Sequence, residues 1–259
     1  MAKRRFKQDV EVSSAPSPAR CYPRVLCIAP AWNEAGRITR VVEAVPREAV
    51  ETTVVVDDGS TDDTGAKARA AGAAVIRNKA NRGVGAAIRS GIDYAIDHGY
   101  EIVVIISGGG KTPPEQIPRL LEPIINGQAD FVQGSRYKEG GEFLRMPLQR
   151  RLGTRAYTML FSLFCGRRVT DASSGFRAVR VSLFEDKRIN LWQDWLDRYE
   201  LEPYLLFKAL RLGHRVIEVP VTIEYPKSND GISYTKMRAL TDWWKIFRPV
   251  LFLGLGLKK

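Results

Sequence analysis

Two adjacent carboxylates, Asp57 and Asp58, are the residues of this chain whose type and spacing point most directly to chemistry. They close the run Val54-Val55-Val56 and precede Gly59-Ser60-Thr61-Asp62-Asp63-Thr64. A β-branched apolar run reads as a buried strand, the glycine as a turn, and Ser60 or Thr61 as the cap of a following helix. Carboxylates at the carboxyl end of a strand stand where open α/β sheets bind their ligands. Taken alone, the stretch reads equally well as a turn whose acids only cap the next helix.

Three more pieces share this placement. Ala29-Pro30-Ala31-Trp32-Asn33-Glu34, Asn81-Arg82-Gly83-Val84-Gly85 and Gly134-Ser135-Arg136-Tyr137 each follow a predicted strand, so all four converge on one edge of a sheet. Gly83 and Gly85 would let backbone approach an anion such as phosphate at a helix N-terminus, or else let a helix pack tightly on a strand. Arg136 carries the planar group that pairs with a phosphate in a bidentate fork.

The elements that must position these residues are legible from periodicity. Strands are predicted over 24–29, 51–57, 73–77, 101–107, 129–133 and 215–224, and helices over 33–45, 62–72, 83–98, 113–125, 147–165 and 200–212. In helix 83–98, Val84, Ala87, Ile88, Gly91, Ile92, Ala95 and Ile96 form one wide apolar face at the helical period. Helix 147–165 sets Leu152, Ala156, Met159, Leu160 and Leu163 on one face. Strands alternating with helices at short spacing imply an α/β protein with a mostly parallel sheet flanked by helices. Residues 1–22, basic and then Ser/Pro/Ala-rich, read as a disordered tail. Residues 23–225 read as one domain, and 226–259 as a flexible loop followed by an amphipathic helix. In that helix Met237, Leu240, Trp244, Phe247 and Leu251 recur at helical spacing beside Lys245 and Arg248. It suits a membrane interface, or packing on the core or on another subunit.

The 259 residues carry a formal charge of +11, which suits phosphorylated ligands or an anionic membrane surface. Eight arginines between 141 and 180 face only Glu142 and Asp171. No nucleic-acid-binding module accompanies that charge, so nucleic acid is not expected as a partner. Cys21, Cys27 and Cys165 lack metal-ligand spacing, and a disulfide framework is not expected, in keeping with a reducing cytoplasm. No apolar run reaches the roughly 20 residues a membrane span needs. His98 and His214 each stand beside a glycine at a predicted helix end, and neither is given a catalytic role.

With Ser174-Gly175-Phe176-Arg177, the four pieces resemble family 2 glycosyltransferases of GT-A fold. The resemblance runs over residues 24–225 and is greatest to the polyprenyl-phosphate branch, the dolichol-phosphate mannose synthase-like enzymes. It implies a Rossmann-like GT-A sheet and a UDP- or GDP-linked sugar donor. Pro30, Trp32 and Glu34 would flank base and ribose, one of Asp57 and Asp58 would accept a base N–H, Gly83 would approach ribose or phosphate, and Arg136 would face the diphosphate. Glu200 and Glu202 lie just before a helix where the family places acids, and would serve as base for a hydroxyl or amine acceptor. A polyprenyl phosphate is already ionised and needs no such base; Arg150, Arg151 and Arg155 suit its phosphate. Arg177 joins them on the acceptor side, with Lys236, from a region whose basic residues reach the diphosphate in the family.

One departure from the family pattern stands out. Members usually carry Asp-x-Asp after the fourth strand, and those acids bind the Mg²⁺ or Mn²⁺ that bridges the diphosphate. Here the segment reads Ser107-Gly108-Gly109-Gly110-Lys111-Thr112-Pro113-Pro114-Glu115, which puts Ser107 and Gly109 at the acid positions. Hard divalent cations prefer carboxylate oxygens. No metal ligand is therefore assigned, and Lys111 with Arg136 is expected to neutralise the diphosphate instead. The expectation is inverting sugar transfer to a polyprenyl phosphate at the inner membrane face, with little or no metal dependence. Transfer to a soluble small-molecule, carrier-bound or saccharide acceptor is the alternative, and a nucleotide-binding pseudoenzyme the second. Peripheral membrane contact and a homodimer are both compatible with this reading.

Overall fold

The computed structural model describes residues 23–225 and 239–258. The predicted tail, the loop over 226–238 and Lys236 within it lie outside these residues. A central sheet joins β1 (Val25–Ala31), β2 (Thr52–Asp57), β3 (Ala74–Arg77), β4 (Ile102–Ile105), β5 (Phe131–Ser135), β7 (Arg177–Arg180) and β8 (Val216–Pro220), in the order β3-β2-β1-β4-β7-β5-β8. All pairings are parallel except those of β7, which runs antiparallel between β4 and β5. A second, two-stranded parallel sheet pairs β6 (Glu142–Leu144) with β9 (Thr222–Glu224). The helices are α1 (Ile38–Glu43), α2 (Thr64–Ala70), α3 (Val84–Asp97), α4 (Ile117–Ile125), α5 (Leu148–Cys165), α6 (Leu201–Arg211) and α7 (Ala239–Gly254).

The strands are apolar on both faces because helices cover both. Leu26, Ile28, Val54 and Val56 point into a core shared with α3, α5 and α6, while Cys27, Ala29 and Val55 point into a second core shared with α1 and α4. Val250 of α7 is fully buried in the first core, and Ile246, Phe247 and Leu253 pack against it. Of the roles open to the C-terminal helix, packing on the core is the one the structure shows.

Two predicted elements differ for local reasons. The helix expected over 33–45 is a turn until Ile38, because the N–H groups of Asn33 and Glu34 are donated to the hydroxyls of Ser60 (2.9 Å) and Thr64 (2.8 Å). The strand expected over 215–224 is divided at Val221. That residue donates to the Ser135 carbonyl at 3.0 Å and accepts from the Glu142 N–H at 3.1 Å, passing the chain from one sheet to the other.

Candidate active site

The order β3-β2-β1-β4 reverses direction between β1 and β4, and open α/β sheets bind ligands at such a switch point. A cleft of about 1090 Å³ lies there. The carboxyl ends of β1, β4 and β5 deliver Pro30, Ser107 and Arg136 to it, and the opposite polarity of β7 brings Arg177 to the same edge. Pro30, Trp32, Glu34, Asp58, Gly83, Ser107, Gly109, Lys111, Arg136, Arg177 and Glu202 all line it.

The two adjacent acids have different jobs. Asp58 borders the cleft and holds the loop beneath it, its carboxylate accepting from the Gly83 N–H (2.7 Å), the Arg82 N–H (3.0 Å) and the Asn78 amide (2.8 Å). Asp57 does not reach the cleft. It is fully buried behind the sheet edge, accepting from the Ser60 N–H at 2.8 Å and pairing with Arg77 at 3.3 Å. Successive strand residues point to opposite faces, so one of the pair had to turn away.

Gly83 and Gly85 serve packing before they serve any ligand. A Cβ on Gly83 would meet the Asp197 carbonyl at 2.6 Å, and one on Gly85 would collide with the Leu196 carbonyl. The 194–198 segment thereby seats on the first turn of α3, where the Asp197 carbonyl accepts the Ala86 N–H at 2.8 Å. The Asp197 carboxylate pairs with Arg89, whose guanidinium also donates to the Leu191 and Gln193 carbonyls at 2.9 Å. This docking carries Arg198 and Tyr199 to the cleft wall.

Arg136 is positioned by the protein rather than held out for a ligand. Its Nε and Nη2 donate to Asp171 at 2.7 and 2.8 Å, Nη2 also donates to Ser173 at 2.6 Å, and Nη1 donates to the Tyr225 hydroxyl at 2.7 Å. Burial opposes the charge, but the Asp171 carboxylate outweighs it and holds Arg136 above its ordinary pKa. The expected bidentate grip on diphosphate is thus occupied by Asp171. Arg177 is equally buried, with Nη1 donating to the Glu202 carbonyl at 2.9 Å and Nη2 lying 3.6 Å from its carboxylate; burial lowers its pKa.

Glu202 is in the cleft; Glu200 is not. The Glu200 carboxylate is buried beneath the first turn of α6, 2.6 Å from Arg248 of α7 and accepting from the Arg198 N–H at 3.2 Å. Burial raises its pKa, with Arg248 opposing. Glu200 is therefore a strut joining α6 to α7. Arg151 and Arg155 also miss the cleft, their guanidinium carbons 5.0 Å from the Phe143 ring and 5.1 Å from the Tyr137 ring. The neighbouring Arg150 is the one that lines it, 5.4 Å from the Tyr225 ring and with a buried Nε that has no hydrogen-bond partner among the described residues. The sequence signal was the arginine cluster itself; helical phase decides which member turns inward. Arg198, Tyr199 and Lys245 carried no local signal, because long-range packing of the 194–198 segment and α7 brings them in. His98 and His214 stand elsewhere, His98 stacked on Tyr94 and His214 3.2 Å from Asp186. Cys27 and Cys165 are free and buried.

Six cations line the cleft (Lys111, Arg136, Arg150, Arg177, Arg198, Lys245) against three carboxylates (Glu34, Asp58, Glu202). That excess suits a diphosphate. Carboxylate ligation of a divalent metal fits these residues poorly. Ser107 and Gly109 offer no carboxylate, and the described residues contain no group of three or more His, Cys, Asp or Glu able to hold an ion. A Cβ on Gly109 would lie 3.1 Å from Glu34 Oε1, so an acid restored there would crowd an existing one.

The sheet order, the cleft at its switch point and the loops that line it define a sugar-transferring enzyme of GT-A fold. A family model described as glycosyl transferase family 2 matches residues 27–187, and the chain belongs to that family. It is a nucleotide-sugar-dependent glycosyltransferase. It is 34% identical over 208 residues to the undecaprenyl-phosphate mannosyltransferase of Micrococcus luteus, a match covering 77% of this chain and 83% of that protein. It is 31% identical over 214 residues to the polyprenol monophosphomannose synthase of Mycolicibacterium smegmatis, covering 80% of each. Among solved structures, glucosyl-3-phosphoglycerate synthase from Mycobacterium tuberculosis, in complex with Mn²⁺, UDP and glucosyl-3-phosphoglycerate, has a TM-score of 0.65 at 20% identity, with 92% of this chain and 81% of that one covered. At that identity the likeness is one of fold.

Proposed function

We propose that this enzyme moves a sugar, with inversion, from a nucleotide donor to a polyprenyl phosphate, and that side-chain cations rather than an acid-held metal neutralise the donor diphosphate. The observation that carries the reading is the cleft's excess of cations at a position where Ser107 and Gly109 replace an acid pair. The acceptor is supported by the polyprenyl-phosphate relatives and by Arg150, the member of the arginine cluster that lines the cleft.

In the step itself, an acceptor phosphate oxygen attacks the anomeric carbon from the face opposite the leaving group. A sugar–phosphate bond forms as the bond to the diphosphate breaks, and the nucleoside diphosphate departs with the electron pair. The acceptor arrives ionised, so no proton must be removed. The charge that grows on the leaving diphosphate is met by Lys111 and Arg198, while Arg136 and Arg177 form the cleft wall, fixed there by Asp171 and Glu202. Glu34 and Trp32 border the donor end with Asp58 beneath. Glu202 is the group available as base were the acceptor a hydroxyl. A polyprenyl phosphate sits in a bilayer, so the reading also puts the enzyme at the cytoplasmic membrane face.

The test is calorimetric titration of UDP- and GDP-sugars in excess EDTA and again with Mn²⁺, followed by transfer assays on a short-chain polyprenyl phosphate. Donor binding and transfer in EDTA are expected. Activity abolished by EDTA and restored by Mn²⁺ would sink the cation reading, and transfer only to soluble acceptors would sink the lipid one.

A further inference from the structure

Residues 224 and 225 tie three segments of the cleft together. The Glu224 N–H donates to the Lys111 carbonyl at 3.0 Å and the Tyr225 N–H to the Leu144 carbonyl at 3.1 Å, while Arg145 Nε donates to the Tyr225 carbonyl at 2.9 Å. Tyr225 is thus fixed through its backbone, and it lines the cleft while only 2% exposed. Its side chain meets two cations. The Arg150 guanidinium carbon lies 5.4 Å from the ring centroid, within cation–π range, and Arg136 Nη1 donates to the hydroxyl at 2.7 Å.

A phenol can accept and donate at once, whereas a guanidinium only donates. The Arg136 contact therefore uses a lone pair of the Tyr225 oxygen and leaves the proton unspent. Among the described residues the hydroxyl makes no other hydrogen bond. Two neighbouring tyrosines differ in this. The Tyr137 and Thr154 hydroxyls are 2.6 Å apart, and the Tyr157 hydroxyl donates to the Ile246 carbonyl at 3.4 Å. Buried polar groups are nearly always paired, and a hydroxyl on the cleft wall can take its acceptor from a ligand. Arg136 reinforces it from behind. Its own fork is spent on Asp171, but a hydroxyl that accepts from a cation becomes a stronger donor, because linked hydrogen bonds polarise one another.

The chemistry of the occupant follows from what surrounds the hydroxyl. Arg136 and Arg150 offer donors alone, so the ligand that suits them is anionic and rich in acceptors. A phosphate monoester presents several oxygens on one phosphorus, enough for a guanidinium and a hydroxyl together. Both cations that meet the Tyr225 side chain belong to the wall proposed for the acceptor, whereas the tie to Lys111 runs only through the backbone of Glu224. We propose that Tyr225 is an acceptor-binding residue, its hydroxyl donating to one oxygen of the acceptor's phosphate monoester while Arg150 pairs with another. The hydroxyl keeps its proton throughout, and it turns the phosphate so that a remaining oxygen faces the anomeric carbon. The assignment rests on the polyprenyl-phosphate reading of the acceptor.

The test compares the full chain with Tyr225→Phe, which keeps the ring beside Arg150 and removes only the hydroxyl. Transfer to a short-chain polyprenyl phosphate, calorimetry with the nucleotide-sugar and urea unfolding are measured on both. The acceptor KM should rise at least about tenfold, as loss of a hydrogen bond to a charged group requires, with the donor Kd within about twofold of wild type. Should the variant fail to fold, 3-fluorotyrosine placed at position 225 reports the same contact in a protein that keeps its hydroxyl. Its fluorine resonance should move on titration with the polyprenyl phosphate and stay in place with the matching polyprenol. An acceptor KM at the wild-type value, a rise in donor Kd in its place, or a fluorine shift produced equally by the alcohol would each overturn the assignment. Parallel loss of donor and acceptor binding with a lowered unfolding midpoint would overturn it too, leaving Tyr225 a strut for Arg136. Wild-type protein that transfers to no polyprenyl phosphate would instead overturn the proposed function, and this assignment with it.

Discussion

The two walls of the cleft are built differently. The wall proposed for the donor, from β1, β2 and β4, is held by hydrogen bonds that mostly run from loop backbone to side-chain oxygens: Asp58 gathers the 78–83 loop, and Ser60 and Thr64 hold the 33–35 turn. The wall proposed for the acceptor, from residues 136 to 246, is held by ion pairs between charged side chains. Arg136 pairs with Asp171, Arg177 with Glu202, and Arg248 with Glu200. The first kind of wall sets loop backbone against a ligand, with Glu34, Asp58 and Lys111 among it. A wall of buried arginines places charge, and an acid buried to fix it, as Asp171 and Glu200 are, is not free to act. The difference explains why two expected reagents, Glu200 and the Arg136 fork, are fittings of the wall.

The largest effect expected from this contrast is at Asp171. Removing one partner of a buried pair leaves an uncompensated charge, so Asp171→Ala should cost about 3–5 kcal/mol of stability by urea unfolding. Arg150→Ala removes a cation with no buried partner to strand. It should leave stability within about 0.5 kcal/mol. Its cost should fall on transfer, raising the acceptor KM at least about tenfold while the donor Kd stays put, since a hydrogen bond to a charged group is worth about 1.5–3 kcal/mol. Equal stability losses in the two variants would break the distinction between positioning and contacting arginines.

What the sequence made legible follows the same division. β1 to β5, the helices between them and the four donor-side loops are local patterns, and alternation with turn chemistry is enough to find them. The antiparallel insertion of β7 was not legible, because pairing partners are chosen by the whole sheet. Nor was the choice of Arg150 over Arg151 and Arg155, or of Asp58 over Asp57, since each turns on the phase of a single residue. Arg198 and Lys245 were invisible because their place depends on glycines 83 and 85 admitting the 194–198 segment and on α7 docking over α6. The stripe of Leu152, Met159 and Leu163 was found by period, but period does not say which of two apolar faces the core will take.

A smaller effect sharpens the donor side. Asp58→Asn removes an acceptor from the loop that underlies the proposed donor site, while Asp57→Asn keeps an oxygen for the Ser60 N–H. The first should raise the donor Kd about tenfold and the second by no more than about twofold, as loss of about 1.4 kcal/mol against a few tenths requires. Calorimetry with the nucleotide-sugar decides it, and equal effects would mean that both acids contact the ligand.

The smallest effect concerns Cys165, at the far end of the helix whose amino end carries Arg150. Burial pushes its thiol up from 9.0 to about 11, with Arg211 and Arg167 pulling the other way. A thiol whose folded pKa lies above its unfolded value contributes stability that is complete below pH 9 and is lost as the pH rises toward 11. In the native protein at pH 8 it should resist iodoacetamide and react on unfolding, as read by mass spectrometry of its peptide. Cys165→Ser should flatten the decline in stability between pH 9 and 11 and leave transfer unchanged. Rapid native alkylation would mean that the α5–α7 contact at Phe164 and Gly254 opens.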